Sequence, residues 1–385
     1  MPVYKKSPGS YYVRISLKSD PATGNRREAK KGGFKTRKEA ETFEANWRVQ
    51  IERGEYLPPS KQTVADYLKE WLESCKSSLS PTTHRRYTGI VNNQINAHIG
   101  KVKLQELQPY SIQQMYHALK LSPASILYVH RVLHRALSQA VKWQLLYRNP
   151  AANVDAPRFR QQERSVLNTE QAWNIIELAP EHLRIPILLA VTTGMRRGEI
   201  MALRWTNLDL KAGVLRVSQA MRYCGKGEGF KPDHTKTDKS KRTVALSAGV
   251  VQALKDHRKQ QTVNRMKVGP EYVNTGYVCT WPNGRPVSPD VVSRGFKKLT
   301  TKLKYNVTFH DLRHSHATML FEMGLPVKSV ADRLGHSTTR ITQDTYQHVL
   351  PHMQEQVADI FDRSFFGGRK TDAHAEKTES SNGAE

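Results

Sequence analysis

No stretch of this chain approaches the ~20 consecutive apolar residues that a membrane-spanning helix needs, and the opening MPVYKKSPGSYY has no apolar core of a secretion signal. Both absences point to a cytoplasmic protein with no membrane partner. Cysteine is scarce, with three residues in 385: Cys75, Cys224 and Cys279, far apart and odd in number. That spacing excludes a disulfide framework and a cysteine zinc pattern, and leaves them as packing residues in a reducing compartment. Acidic residues are also in short supply, with 35 Asp and Glu against 60 Lys and Arg, a formal charge of +25. Such an excess repels itself unless a polyanion balances it. Nucleic acid is the usual one, although a basic protein that meets nucleic acid only incidentally would show the same number.

A chain of 385 residues exceeds what one hydrophobic core usually contains, so two or three domains are expected. Residues 1–56 read as a small unit in which SYYVRISLKS and EAKKGGF form short strands around the turn-rich DPATGNRR. TRKEAETFEANWRVQIERG then reads as a helix. Thr36 and Glu39 make a capping box, Phe43, Trp47 and Ile51 recur at four-residue spacing, and Gly54 can end it. Arg14, Lys18, Arg26, Arg27, Lys30, Lys31 and Lys35 stud the strands, while the acids collect on the helix. This is either a set of strands laid in a DNA groove or a solvated basic sheet.

From 60 to 155 the apolar residues follow helical spacing. Thr63 and Asp66 open a helix whose stripe is Val64, Tyr67, Leu68, Trp71, Leu72 and Cys75. Ser80 and Pro81 start a second, closed by Gly100, and a third lies near 109–119. Ser122 and Pro123 begin the longest, with Ile126, Leu133, Leu137, Ala140 and Val141 inward and His130, Arg131, Arg135 and Lys142 largely outside. The expectation is a helical bundle with basic outer faces. RNPAANVDAPRFRQQERS reads as an exposed basic linker, centred on 156–165. Residues 166–366 combine helices with a β segment around GVLRVSQAMRY and KRTVALS, and the polar run from 367 to 385 is a disordered tail.

Chemistry concentrates in the last of these regions. HDLRHSHATMLF sets His310 and His314 four apart, a spacing that suits two metal ligands on a helix, but the stretch lacks the glutamate of an H-E-x-x-H site and Arg313 would repel a cation. His310 and Arg313, three apart, suit a phosphate grip with a proton shuttle instead. VTTGMRRGEIMALRW places Arg196 after a glycine turn at the start of a buried helix. Glu199 there either fixes an arginine by a charged hydrogen bond or forms an ordinary surface pair. HTKTDKSKRTVALS is a charged turn leading into a strand, and Lys236 within it lies on a solvated hairpin tip or one that reaches DNA. DRLGHSTTRITQDTYQHVL offers His336 after a glycine turn and Tyr346 beyond it.

Taken in order, Arg196 in TGMRRGE, Lys236 in TKTDKSKR, His310 and Arg313 in HDLRHSHAT, His336 in LGHS and Tyr346 in DTYQHV resemble the constellation of the tyrosine recombinases, the phage-integrase family. The resemblance covers the chain to about 366. Lys231, Lys239 and Lys241 compete with Lys236, which matches the K-T that precedes the family's second strand. The implied fold is multidomain and mainly α with small β-sheets. An N-terminal three-stranded sheet plus helix would be followed by a helical core-binding bundle and a mixed α+β catalytic domain. The implied chemistry is strand cleavage by Tyr346 to a 3′-phosphotyrosine, with Arg196, Arg313, His310 and His336 at the phosphate and Lys236 protonating the departing 5′ oxygen. His314 and His316 would be structural, and no cofactor, metal or ATP is implied. The implied partners are duplex attachment sites of core and arm type, a homotetramer passing through a Holliday junction, and an excisionase and a DNA-bending protein. PHMQEQVADIFDRSFF would dock on a neighbouring subunit or pack on its own domain. A type IB topoisomerase shares the catalytic set but would need no arm domain, and a DNA-binding regulator would not need Tyr346.

Overall fold

The computed structural model describes residues 3–7, 10–16, 28–52, 56–158, 165–225, 228–234, 241–336, 338–346, 361–362 and 365. The chain divides into two compact units, Met1–Gln161 and Gln162–Glu385. The mixed, mainly helical architecture matches the expected fold class.

The first unit begins with strands β1 (Val3–Ser7), β2 (Ser10–Ser16) and β3 (Glu28–Phe34), an antiparallel sheet in that order, and helix α1 (Arg37–Glu52). Side chains alternate across a strand, so Val13, Ala29 and Phe34 turn inward against Ala40 and Trp47 of α1. Tyr12, stacked on Tyr4, also lies under the Lys30 ammonium at 4.3 Å. At the start of α1, Thr36 Oγ1 accepts from Glu39 N–H as expected, but the Glu39 carboxylate accepts from Lys35 N–H rather than closing the box on Thr36. Gly54, the expected stop, lies outside the described residues.

The bundle follows as α2 (Val64–Cys75), α3 (Pro81–Ile90), a π turn over Val91–Ile95, α4 (Asn96–Ile99), α5 (Pro109–Ala118) and α6 (Pro123–Lys142). Thr63 and Asp66 close a full capping box, and Ser80 and Ser122 cap α3 and α6 in front of prolines. Val64, Tyr67, Leu68, Trp71 and Leu72 are buried, as are Ile126, Leu133, Leu137 and Ala140. Arg85, Arg86, Arg131 and Arg135 stay outside, Arg86 lying 3.7 Å over the ring of Tyr128. Pro150 and Ala151, at the start of the stretch expected to be exposed, are buried. Asn149 donates to the His134 carbonyl and Ser138 Oγ and accepts from Ala151 N–H, which draws Pro150 and Ala151 into the core.

The second unit runs α7 (Thr169–Leu178), α8 (Glu181–Thr193), α9 (Arg197–Met201), β4 (Leu208–Asp209), β5 (Val214–Val217), β6 (Gln219–Gly225), β7 (Gly229–His234), β8 (Arg242–Ala245), α10 (Ala248–Val268), α11 (Pro289–Lys302), α12 (Asp311–Glu322), α13 (Val327–Leu334) and α14 (Thr339–Tyr346). GVLRVSQAMRY is not one segment. It breaks after Val217, β5 joining β4 and β8 in one antiparallel sheet and β6 pairing with β7 in a separate hairpin. α6, at 20 residues, is the longest helix of the bundle, and α10, at 21, buries only Val250 and Leu254, so it lacks a marked stripe. The core wraps α8, whose Leu183, Ile187, Leu189 and Ala190 are almost fully enclosed. Beyond α14 only Phe361, Asp362 and Phe365 are described; the two exposed phenylalanines stack at 5.2 Å, and the tail lies outside the described residues.

Trp71 is fully buried at the centre of the bundle. Trp71→Ala should cost the first unit ~3–5 kcal/mol, read as a lower urea midpoint for its unfolding transition. An unchanged midpoint would contradict the packing described.

Candidate active site

Two glycine turns shape the site. α8 ends at Gly194 (φ 65), where an added Cβ would lie 2.6 Å from both His316 Cδ2 and Leu334 Cδ2. Only glycine fits such a left-handed, crowded position. The chain then extends through Arg196, which precedes α9. Its backbone N–H and its Nη1 each donate to the Glu199 carboxylate at 2.9 Å. Glu199 is 3% exposed and takes a second cation, Arg242 of β8, whose Nη2 lies 2.9 Å from Oε2. Burial opposes the charge on Glu199, but Arg242 and Arg196 outweigh it and hold the carboxyl below its usual range. It is not a surface pair.

The second turn follows α13 at Gly335 (φ 69). The Leu334 carbonyl accepts from Arg313 Nη2 at 2.8 Å, and the Gly335 carbonyl accepts from Arg196 Nη2 at 3.4 Å. Arg313, buried in α12, also donates Nη1 to the Gly194 carbonyl at 2.6 Å. Two arginines from distant parts of the chain therefore rest on successive carbonyls, immediately before His336. The His336 Nδ1 shares a hydrogen bond of 2.6 Å with Thr342 Oγ1 of α14. Burial, and then the charges of Arg313, Arg196, Arg242 and His310, push its imidazole down to about 4, so it is neutral at pH 7.

His310 is exposed at the N-cap of α12, its ring edge-to-face with His314 at 5.1 Å. His316 is buried, with its Nε2 accepting from Arg333 Nε at 3.1 Å; burial and the charges of Arg333 and Arg313 push it down to about 4. Tyr346 closes α14, but its side chain is outside the described residues. Lys236 is likewise outside them, in 235–240 between β7 and β8. The structure thus brings Arg196, Arg313, His336 and His310 together and bears neither on the Lys236 assignment nor on the side chain of Tyr346. Among the described residues no cluster of three or more His, Cys, Asp or Glu could hold a metal. The sequence reading passed over Arg242, Arg333 and Thr342. Arg242 appeared only as one of several basic residues in KSKR, and nothing local marks it as buried.

A sequence profile described as "Phage integrase family" matches residues 162–353. Two more, "Phage integrase, N-terminal SAM-like domain" and "Arm DNA-binding domain", match 63–120 and 2–51. The chain belongs to the phage integrase family, the tyrosine recombinases. It is 29% identical over 381 residues to a tyrosine recombinase XerC-like protein of Caldanaerobacter subterraneus, spanning 93% of this chain and 97% of that one. It is 26% identical to the ICEBs1 integrase of Bacillus subtilis, spanning 94% and 99%. In fold the recombinase resembles the Tn1549 transposon integrase in complex with circular intermediate DNA (TM-score 0.65, 18% identity, 77% of this chain and 99% of that one). It also resembles a lambda integrase tetramer bound to a Holliday junction (TM-score 0.56, 20% identity, 88% and 96%). As a member of this family the chain is an enzyme that cleaves and rejoins DNA. No helix among the described residues is long and apolar enough to cross a membrane.

The two depressed histidines give the recombinase a defined pH response. The unfolded chain takes up protons as pH falls through about 6.5, the ordinary histidine value, whereas folded His316 and His336 resist until about 4. Their contribution to stability is intact above 6.5 and is lost as pH falls toward 4. The share of His316 is at most ~3 kcal/mol. His316→Gln keeps an acceptor for Arg333 and should flatten the fall of the second unit's urea midpoint across that range; an unchanged slope would contradict the assignment.

Proposed function

We propose that this recombinase is the integrase of a bacterial mobile element, a phage or a transposon, acting in the host cytoplasm at the nucleoid. In this reading Tyr346 attacks the scissile phosphate, forming a 3′-phosphotyrosine as the bond to the 5′ oxygen breaks. Lys236 gives that oxygen its proton, and His310 takes the proton of the tyrosine hydroxyl. A tyrosine with an ordinary pKa of about 10 is a weak nucleophile at pH 7, and nearby cations and a base remedy that. Arg196 and Arg313 present planar forks to the non-bridging oxygens, with His336 as a further donor. The phosphodiester's energy is retained in the tyrosine ester, so the reverse attack by another strand's 5′-hydroxyl reseals DNA without ATP.

The observation that carries this reading is the seating of Arg196 and Arg313 on the adjacent carbonyls of Gly335 and Leu334, beside a neutral His336. Among the described residues, the buried carboxylate of Glu199 meets Arg196 and Arg242. The site therefore has cationic charge for an anion to balance.

The domains follow from the same reading. Residues 1–56 would bind arm-type sites through the basic sheet, 60–155 would bind core sites, 156–165 would link, 166–366 would catalyse, and 367–385 would form a tail. The exposed Tyr4 and the Lys30–Tyr12 contact support the first role, and Arg85, Arg86, Arg131 and Arg135 support the second. Four protomers would exchange strands in two sequential pairs, assisted by an excisionase and a DNA-bending protein. Parent and Tyr346→Phe proteins, run on denaturing gels after incubation with nicked attachment-site DNA or fragmented genomic DNA, test the reaction. A covalent protein–DNA band in the parent alone is expected. Tight DNA binding without a band in either would identify a DNA-binding regulator instead.

A further inference from the structure

The proposed clamp needs Arg196 at one fixed distance from the turn that carries His336, yet Arg196 is itself 39% exposed and touches that turn through a single long hydrogen bond of 3.4 Å. Something more rigid must set the distance. Arg242 is 6% exposed and spans the gap. Its Nη2 donates to Glu199 Oε2 at 2.9 Å, and its Nε donates to the Arg333 carbonyl at 2.8 Å. Glu199 in turn grips Arg196 through two bonds. The Arg333 carbonyl stands at the end of α13, next to the carbonyls that receive Arg313 and Arg196.

The brace is reciprocal. Arg333 returns from α13 to the same strand, donating Nη2 to the Ala245 carbonyl at 3.3 Å and to the Thr192 carbonyl of α8 at 3.0 Å. Thus the side chain of each arginine binds backbone of, or next to, the other's element, and β8 is tied to α13 at both ends. The fit is close, since a Cβ on Gly335 would stand 3.0 Å from Arg242 Cδ and Nη1.

We propose that Arg242 is a positioning residue of the active site, setting Arg196 through Glu199 and the Leu334–His336 turn through the Arg333 carbonyl, so that both meet one phosphate. The proposal rests on the recombinase reading above. It requires the geometry of a guanidinium rather than its charge alone. A lysine ammonium is a compact point donor on a flexible stem and cannot reproduce two directed bonds from Nε and Nη2.

The test compares parent, Arg242→Lys, Arg242→Gln and the pair Arg242→Met with Glu199→Gln. Melting temperature, duplex affinity by gel shift and the single-turnover rate of covalent complex formation are measured for each. The pair removes the buried carboxylate that a lone Arg242 change would leave short of a partner, so it gives a folded protein if the single Gln variant does not fold. Affinity should stay near the parent's while the cleavage rate falls about 100-fold, the scale expected from a misplacement of about 1 Å. Lysine should restore only part of the rate, and the pair should remain slow even where its melting temperature recovers. Parent-like cleavage by any folded variant, or a loss confined to DNA affinity, overturns the inference. A parent that forms no covalent complex overturns the recombinase reading first, which separates the two failures.

Discussion

A carboxylate as enclosed as Glu199 survives in a protein interior only where cations meet it, and here they come from two directions. Arg196 reaches it from the extended residue just before the same short helix and Arg242 from the far strand, so one residue ties the α8–α9 turn to the β8 edge. Removing one partner of such a buried group typically costs ~3–5 kcal/mol, because the remaining charge is left without compensation. That asymmetry explains why the surrounding elements converge on this point. Gly194 and Gly335 take left-handed turns so that their carbonyls can face the guanidinium groups, and any side chain at Gly194 would strike His316 and Leu334.

Among the described residues the site is rich in cations. Arg196, Arg242, Arg313 and Arg333 gather in the region of Glu199, and the neighbouring His336 and His316 stay neutral first because they are buried and then because these charges oppose a further proton. A phosphate diester brings an anion to these cations in the proposed reaction. Backbone carbonyls of Gly335 and Leu334 accept from Arg196 and Arg313.

What could be read from the sequence divides along the same physical line. The stripes of α2 and α6, and the caps at Thr63, Ser80 and Ser122, are local patterns, and local patterns survive folding. The division of β5 from β6 has one local mark, Gln219, which is polar where the alternation of Leu215 and Val217 calls for an apolar residue; the pairing partners that separate the two strands lie far along the chain. α10, mostly polar, offered no stripe. In the site, Arg196, His310, Arg313 and His336 were named from their motifs and do come together. Arg242 and Arg333 were missed because their partners are mainly carbonyl oxygens, which every residue type carries alike. The surroundings of Lys236 and of the Tyr346 side chain lie outside the described residues, and their roles rest on the motif and on the chemistry that a phosphodiester demands.

In the proposed reaction this cationic cluster offsets the charge of one phosphate. The most direct measurement is the cleavage rate of Arg196→Ala on two substrates, an ordinary phosphodiester and an uncharged methylphosphonate at the scissile position. A severe loss is expected on the phosphodiester and substantial recovery on the methylphosphonate, where less charge needs offsetting. An equal loss on both substrates would contradict this role and make Arg196 a structural residue.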